Sequence, residues 1–229
     1  MMDGNKKIKK IIIWGAKYQF KVIRPVLIEQ GYEIALLIDE TPNKKKYLGY
    51  NVVNNINEFI KWRENNKYED ELGFVICIGN PHARIREKKA NELINLGLKP
   101  ISIISKSAKI ADDVILGDGL QILENVVINP GSKIGNYCII LSNSLIDHDC
   151  HLGKCVELSG GVNLAGRINI GDYSWLGIGS TAIANQKSEE PRKIGHNCII
   201  GAHSLVNKDI SDNSIAYGVP AKKMKNNEI

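Results

Sequence analysis

The sequence predicts two domains, an α/β domain over residues 1–103 followed by an all-β solenoid over residues 104–229. Apolar strands alternate with helical spacing in the first half, which is typical of α/β folds with a parallel sheet. In the second half an aliphatic residue returns every sixth position, which is the period of neither a helix nor a simple strand. Charge also divides the chain, since residues 1–103 hold 18 Lys and Arg against 12 Asp and Glu, whereas the remainder holds 12 against 13.

The elements of the first half follow from short apolar runs and their punctuation. Within residues 9–16 a short apolar run ends at Gly15, and apolar residues at helical spacing follow up to Gly31, which predicts a strand, a turn and a helix. Further strands are predicted over 32–38 and 74–78, and the last precedes a charged helix that ends at Leu98.

Ligands of parallel α/β sheets bind at the carboxyl ends of the strands. The residues at these ends are Gly15, Ala16, Lys17, Asp39, Gly79 and Asn80. After Gly15 the chain lacks the GxGxxG pattern that lets a backbone approach a pyrophosphate, so a nicotinamide dinucleotide is not favoured.

Composition limits the classes of function. The 229 residues are 43% hydrophobic and 24% charged, and no apolar run approaches the roughly 18 residues of a membrane span. The first residues also lack an apolar stretch of signal-peptide length, so a cytoplasmic protein is expected. The basic first half indicates either a small phosphorylated ligand or only a solvated surface. Nucleic acid is not expected, because basic residues are not interleaved with aromatic ones in a recognisable motif.

The period of six is the strongest feature of the second half. The aliphatic positions are Ile104, Ile110, Leu116, Ile122, Ile128, Ile134, Ile140, Ile146, Leu152, Leu158, Leu164, Ile170, Leu176, Ile194, Ile200 and Val206. A glycine directly follows many of them, which suits tight corners. We expect each hexad to form one short face with its aliphatic residue inward, and stacked coils to bury a continuous apolar column.

The repeat also predicts the environment of its cysteines and the position of a loop. Cys138, Cys150 and Cys198 occupy the fifth position of their hexads, so they are predicted to be small core residues with reduced thiols. The repeat breaks between Ala182 and Lys193 and resumes in register, which predicts a protruding loop near 185–193.

Two phrases within this repeat resemble the bacterial hexapeptide-repeat sugar acetyltransferases, the group of UDP-4-amino-sugar and perosamine N-acetyltransferases and sialic acid O-acetyltransferases. They are Ile146-Asp147-His148-Asp149-Cys150-His151-Leu152-Gly153 and Tyr217-Gly218-Val219-Pro220-Ala221-Lys222. The resemblance implies a Rossmann-like domain that binds the nucleotide-sugar acceptor, a left-handed parallel β-helix, a homotrimer, and acetyl-CoA bound in the groove between neighbouring chains. From the spacing of its cysteines and histidines, we expect no metal site in this chain.

The chemistry of acetyl transfer assigns roles to several residues. An acceptor amine or hydroxyl must lose a proton, and His148 matches the family's His-Asp/Glu position, so we expect it to be the general base. Asp149 is expected to orient and stabilise its ring, with Asp147 as an alternative. Gly166 follows His148 by one coil of three hexads, and its backbone amide matches the family's acetyl contact. By resemblance, coenzyme A contacts Ile178, Gly201 and Ala202.

Two departures from the family concern the acceptor. Relatives commonly have a glycine-rich turn after the first strand, where this chain has Gly15-Ala16-Lys17-Tyr18-Gln19, so Lys17 would supply a charge instead. Relatives often carry a histidine where this chain has Glu157, which is therefore a candidate acceptor contact. Asp39, Gly79 and Asn80 match residues near the nucleotide in relatives.

Three functions remain open from the sequence. The first is acetyl-CoA-dependent N-acetylation of a nucleotide-linked amino sugar, by direct transfer with His148 as base. The second is O-acetylation of a sialic-acid-like or other surface-glycan sugar, which the same base would serve. The third is a non-catalytic trimeric binding scaffold, against which the intact His148-Asp149 pair argues. A zinc site is not favoured, because His196 and His203 lie on other coils than His148 and His151.

Overall fold

The computed structural model describes residues 9–41, 43–66, 72–186 and 188–228, which form two compact units. The first unit comprises the described residues of Met1–Ile78 and of Lys88–Ile101. The second comprises Gly79–Glu87 and the described residues of Ser102–Ile229. Gly79–Glu87 thus belongs to the second unit, although the predicted boundary at residue 103 places it with the first. The N-terminal residues that bear on a signal peptide lie outside the described part.

The first unit contains the predicted parallel sheet. Its strands are β1 Lys10–Trp14, β2 Glu33–Ile38, β3 Lys46–Tyr47, β4 Tyr50–Val53, β5 Gly73–Ile76 and β6 Lys99–Pro100, in the order β3-β4-β2-β1-β5-β6. All pairs are parallel except β3 with β4. The central strand β1 holds three fully buried isoleucines, as expected for a strand covered on both faces.

Three helices accompany this sheet. They are α1 Tyr18–Glu29, α2 Ile56–Asn65 and α3 Ala83–Asn95, of which α3 begins in the second unit. Helix α2 is not among the predicted elements, although Asn55 caps it by accepting from the Glu58 backbone N–H at 2.9 Å. Glu58 in turn accepts from the Asn54 backbone N–H, a reciprocal arrangement like the capping box. Among the described residues, no helix has the length and apolarity needed to cross a bilayer.

The second unit is a parallel β-helix whose short strands stack into three faces. Face 1 contains β7 Ile103–Ile104, β10 Gln121–Ile122, β13 Ile139–Ile140, β16 Glu157–Leu158, β19 Trp175–Leu176, β22 Ile199–Ile200, β24 Ser214–Gly218 and β25 Ala221–Asn226. Face 2 contains β8 Lys109–Ile110, β11 Val127–Ile128, β14 Leu145–Ile146, β17 Asn163–Leu164, β20 Thr181–Ala182 and β23 Leu205–Val206. Face 3 contains β9 Ile115–Leu116, β12 Lys133–Ile134, β15 His151–Leu152, β18 Ile168–Ile170 and β21 Arg192–Ile194.

The register of these strands confirms the repeat. Gln121 pairs with Ile139 and Ile139 with Glu157, so neighbouring coils are three hexads apart. The second residue of most strands is the predicted aliphatic one, and these residues form one buried cluster. Three faces of parallel two-residue strands are the pattern typical of left-handed β-helices. The final pair, β24 with β25, is antiparallel.

The corners between faces need left-handed backbone conformations. Non-glycine residues with positive φ recur at these corners, among them Asn143 at 63°, Asp149 at 56° and Arg167 at 61°. Short polar side chains tolerate this region best, and glycine occupies it elsewhere, as at Gly131 with φ of 73°. At the corners the backbone therefore departs from the regular conformation of the paired strands.

One coil carries the predicted insertion. Ile170 pairs with Ile194, so this coil is one hexad longer than those before it. The described residues between Ala182 and Arg192 are irregular. Arg192 already lies in β21, so the last two residues of the predicted loop near 185–193 are strand. Arg167 forms an ion pair with Glu189 of this segment. Lys187, within the predicted loop, lies outside the described residues.

Candidate active site

His148 and Asp149 lie at the corner between faces 2 and 3, where residues 147–150 connect β14 to β15. The left-handed conformation of Asp149 lets its side chain meet that of the preceding residue, His148. The Asp149 N–H donates to the Pro130 carbonyl at 2.9 Å. His148 Nδ1 lies 2.8 Å from Asp149 Oδ2, and both side chains are more than half exposed. With Nδ1 bound to the carboxylate, a neutral ring presents Nε2 as a proton acceptor.

Glycines bracket this pair on the coils above and below. A Cβ built at Gly166 would lie 2.3 Å from His148 Nε2, so the ring lies directly against that glycine. A Cβ built at Gly131 would lie 2.2 Å from Asp149 Oδ1. The structure thus brings His148, Asp149 and Gly166 together as expected. It adds Gly131, whose signal in the sequence is its position one coil of three hexads before Asp149.

Asp147 is anchored rather than free. Its Oδ1 accepts from the Asn129 side chain at 2.9 Å. That hydrogen bond, more than those from the His148 and Gly166 backbone N–H groups, holds the pKa of Asp147 below its ordinary value. Asp147 is therefore an acceptor that helps to fix the corner.

The expected coenzyme contacts lie at a different corner, between faces 1 and 2. Ile178 is 57% exposed there, and Ala202 is exposed on the next coil, where His203 N–H donates to the Ile178 carbonyl at 2.8 Å. A Cβ at Gly201 would lie 2.6 Å from the Tyr217 Cβ, so this position requires glycine. These three residues are grouped with one another but, within one chain, face 2 separates them from His148.

Glu157, Gly79 and Asn80 meet on face 1. Glu157 is only 8% exposed, and its Oε2 accepts from the Asn80 backbone N–H at 3.0 Å and from Arg86 at 3.1 Å. A Cβ at Gly79 would lie 3.5 Å from the same oxygen. The carboxylate of Glu157 is therefore occupied by protein donors. Arg86 was missed because 71 residues separate it from Glu157.

In the first unit, Gly15, Lys17 and Asp39 gather at the carboxyl ends of β1 and β2. Gly15 has φ of 103°, and a Cβ there would lie 2.5 Å from the Cys77 carbonyl oxygen. Asp39 is 4% exposed and accepts from the Ala16 N–H at 2.7 Å and the Thr41 N–H at 3.0 Å. Lys17 is exposed at the start of α1.

The carboxylate of Asp39 shapes this turn. Burial favours its neutral form, but the hydrogen bonds from Thr41 and Ala16 and the charge of Lys44 outweigh it and lower its pKa. Lys44 also donates to the Ala16 carbonyl. Lys44, which no sequence motif marks, therefore fixes the backbone that carries Lys17.

Two further histidines, His151 and His196, lie outside this corner. His196 Nδ1 accepts from the Asp172 backbone N–H at 3.0 Å, and His151 is exposed on face 3. Across the described ranges, no group of three or more His, Cys, Asp and Glu side chains is arranged to hold a metal ion.

Comparison with known proteins shows similarity over nearly the whole chain. The family model of the PglD N-terminal domain matches residues 10–93. GDP-perosamine N-acetyltransferase of Escherichia coli O157:H7 is 28% identical over 219 residues, which cover 93% of this chain and 95% of that protein.

Solved structures extend the similarity to the fold. PerB from Caulobacter crescentus in complex with CoA and GDP-perosamine is 30% identical, with a TM-score of 0.83 over 94% of this chain and 97% of that one. A mutant of GDP-perosamine N-acetyltransferase from the same bacterium, with the same two ligands, is 29% identical, with a TM-score of 0.84 over 95% and 97%.

Proposed function

The chain belongs to the PglD-like family of hexapeptide-repeat sugar N-acetyltransferases, and we propose that it transfers the acetyl group of acetyl-CoA to the amino group of a nucleotide-linked amino sugar. Relatives named GDP-perosamine N-acetyltransferase cover more than nine-tenths of the chain and support the substrate class. The observation that carries the proposal is the His148–Asp149 pair, whose free ring nitrogen lies beside Gly166.

His148 acts as the general base. As the sugar nitrogen bonds to the thioester carbonyl carbon, Nε2 removes a proton from that nitrogen, and Asp149 stabilises the imidazolium that forms. The carbon–sulfur bond then breaks, and the ring returns the proton to the departing thiolate. The Gly166 N–H supports the oxygen that becomes negative in the tetrahedral stage.

The transfer needs no covalent enzyme intermediate. The nearest cysteine, Cys150, is fully buried, and burial raises the pKa of its thiol to about 11. A protonated thiol without access to solvent is a poor nucleophile. The acetyl group therefore passes directly from the thioester to the acceptor.

Mass spectrometry of acceptors after incubation with acetyl-CoA tests this proposal. The panel contains UDP-, dTDP- and GDP-linked amino sugars beside free sialic acids. We expect one of the nucleotide-linked amino sugars to gain an acetyl group. Hydroxylamine should not remove this group, because it is held in an amide. His148→Ala should lower turnover by about 10² or more.

A matched variant controls for the loss of a histidine. His151→Ala removes an exposed ring three residues from His148 on the same coil, and it should keep near-normal turnover. An ester formed on a hydroxyl group would show that the reaction is O-acetylation and not N-acetylation. Full activity in folded His148→Ala would remove His148 from the mechanism.

A further inference from the structure

A buried ion pair on face 1 joins Arg86 to Glu157. Arg86 is 1% exposed and Glu157 8%, and the Arg86 guanidinium lies 3.1 Å from Glu157 Oε2. Its second terminal nitrogen donates to the Cys155 carbonyl at 2.8 Å. Two charges in such surroundings persist only when each is paired and hydrogen-bonded, so loss of either would leave the other uncompensated.

The same carboxylate oxygen also holds the backbone of Asn80. The Asn80 N–H donates to Glu157 Oε2 at 3.0 Å, so one atom orients both Arg86 and the segment that precedes α3. A second cluster holds the first part of α3, where Glu87 accepts from Lys154 at 2.7 Å and from the Tyr173 hydroxyl. Gly79–Glu87 is therefore fastened to the β-helix at two points.

The side-chain amide of Asn80 differs from the Asn80 backbone N–H, which Glu157 holds. Its amide nitrogen is buried and has no hydrogen-bond partner within the part of the chain that the structure describes. Asn80 also lines a cavity of about 250 Å³ with Tyr173, Trp175 and Asn197. Because a buried amide N–H without a partner is costly, this group is suited to an oxygen atom of a ligand.

We propose that Glu157 and Arg86 are positioning residues that hold the Asn80 amide toward an oxygen of the nucleotide-sugar acceptor. The inference rests on the proposed function. Glu157 then acts through Asn80 and does not itself contact the acceptor, which differs from the direct contact expected from the sequence. The family's usual histidine at this position lacks the negative charge that Arg86 requires here.

Steady-state kinetics of three variants tests the proposal with the accepted nucleotide sugar of the panel. Asn80→Ala and Glu157→Leu should each raise the acceptor KM by about tenfold and leave the acetyl-CoA KM within about twofold. The double variant Arg86→Met with Glu157→Leu should regain thermal stability relative to Glu157→Leu, because it removes both buried charges. Its acceptor KM should stay raised, since the Asn80 N–H still lacks its acceptor.

A wild-type acceptor KM in the double variant would overturn the proposal, because the pair would then serve stability alone. An unchanged acceptor KM in Asn80→Ala would overturn it as well.

Hydrogen exchange separates this inference from the proposed function. Peptides covering 79–87 should exchange faster in Glu157→Leu. They should be unchanged in Arg192→Met, which removes another buried β-helix arginine. If wild type acetylates no acceptor, the proposed function fails, whereas unchanged exchange in Glu157→Leu contradicts the positioning role independently.

Discussion

The His148 ring and the Asp149 carboxylate meet because their corner passes through a left-handed residue, and they fit because the adjoining coils lack side chains there. Gly166 faces the ring and Gly131 faces the carboxylate, each at a distance that excludes a methyl group. A pair of consecutive residues can therefore act like the base and orienting carboxylate of a triad.

Gly131→Ala tests this at the scale of one residue. The new methyl group would lie 2.2 Å from Asp149 Oδ1 and clash with it, so Asp149 should move away from Nδ1 of His148. We expect turnover to fall about tenfold or more, as with Asp149→Asn, with a stability loss of about 1 kcal/mol or more from the left-handed conformation.

Gly97→Ala provides the control for that conformational strain. Gly97 has φ of 82°, but a Cβ there would have open space around it. This variant should lose comparable stability and keep wild-type turnover. Equal turnover in both variants would show that Gly131 does not support the pair.

The candidate residues differ in how far the sequence could predict them. His148 and Asp149 are adjacent and lie in a recognisable phrase, and the period of three hexads connects both to glycines on neighbouring coils. Arg86 has no such signal, because its partner Glu157 lies in the other half of the chain. Contacts between distant segments depend on packing that local patterns do not encode.

The fifth position of several hexads holds a small side chain that donates a hydrogen bond to the next coil. Cys138 donates to the Gly153 carbonyl, Ser144 to the Ser159 carbonyl and Cys150 to the Ala165 carbonyl, each 15 residues on. These small side chains fill the inner corner and add one hydrogen bond between coils. The sequence predicted their burial but not this recurring bond.

The five cysteine thiols should be unreactive in the folded protein. All five cysteines are buried, and burial raises the pKa of Cys138 to about 12 and of Cys150 to about 11. Iodoacetamide at pH 8 should label few of them in the native protein and all five after unfolding in urea. Rapid labelling of the native protein would contradict this.

The same shifts give a pH dependence of stability. Between the ordinary thiol pKa of 9.0 and the raised values, the unfolded chain releases protons that the folded chain keeps. These thiols should therefore lower the free energy of unfolding as the pH rises above 9.0, which urea titrations at a series of pH values would measure.

Prediction of elements succeeded where a period was long and regular. Sixteen aliphatic positions predict the β-helix, whereas β3, β4, β6 and α2 are not predicted from the sequence. The three strands are short, and α2 has one fully buried apolar residue, Phe59. The insertion was anticipated from the break in the repeat, but Arg192 joins β21 because it pairs with Ile168.

At the scale of the β-helix, the candidate residues lie on separate sides of one chain. His148 lies at the corner between faces 2 and 3, opposite face 1, which carries Asn80, while Ile178 lies at the corner between faces 1 and 2. The exposed Ile178 and Ile115 add apolar surface of the kind that a partner or ligand covers. We therefore expect a complete site to need a second copy of the chain.

We predict a homotrimer of about three times 25.4 kDa by native mass spectrometry, with each site shared between neighbours.

Complementation between two inactive variants tests whether each site is shared. His148→Ala removes the base, and Ala202→Arg blocks the coenzyme corner with a bulky exposed side chain, so each homotrimer should be inactive. After the two are unfolded and refolded together in equal amounts, a site is intact only where the base comes from one variant and the corner from the other. Random assembly then restores about one quarter of wild-type activity. Mixing without refolding serves as the control and should restore none, whereas inactivity of the co-refolded trimers would place the base and the coenzyme corner in one chain.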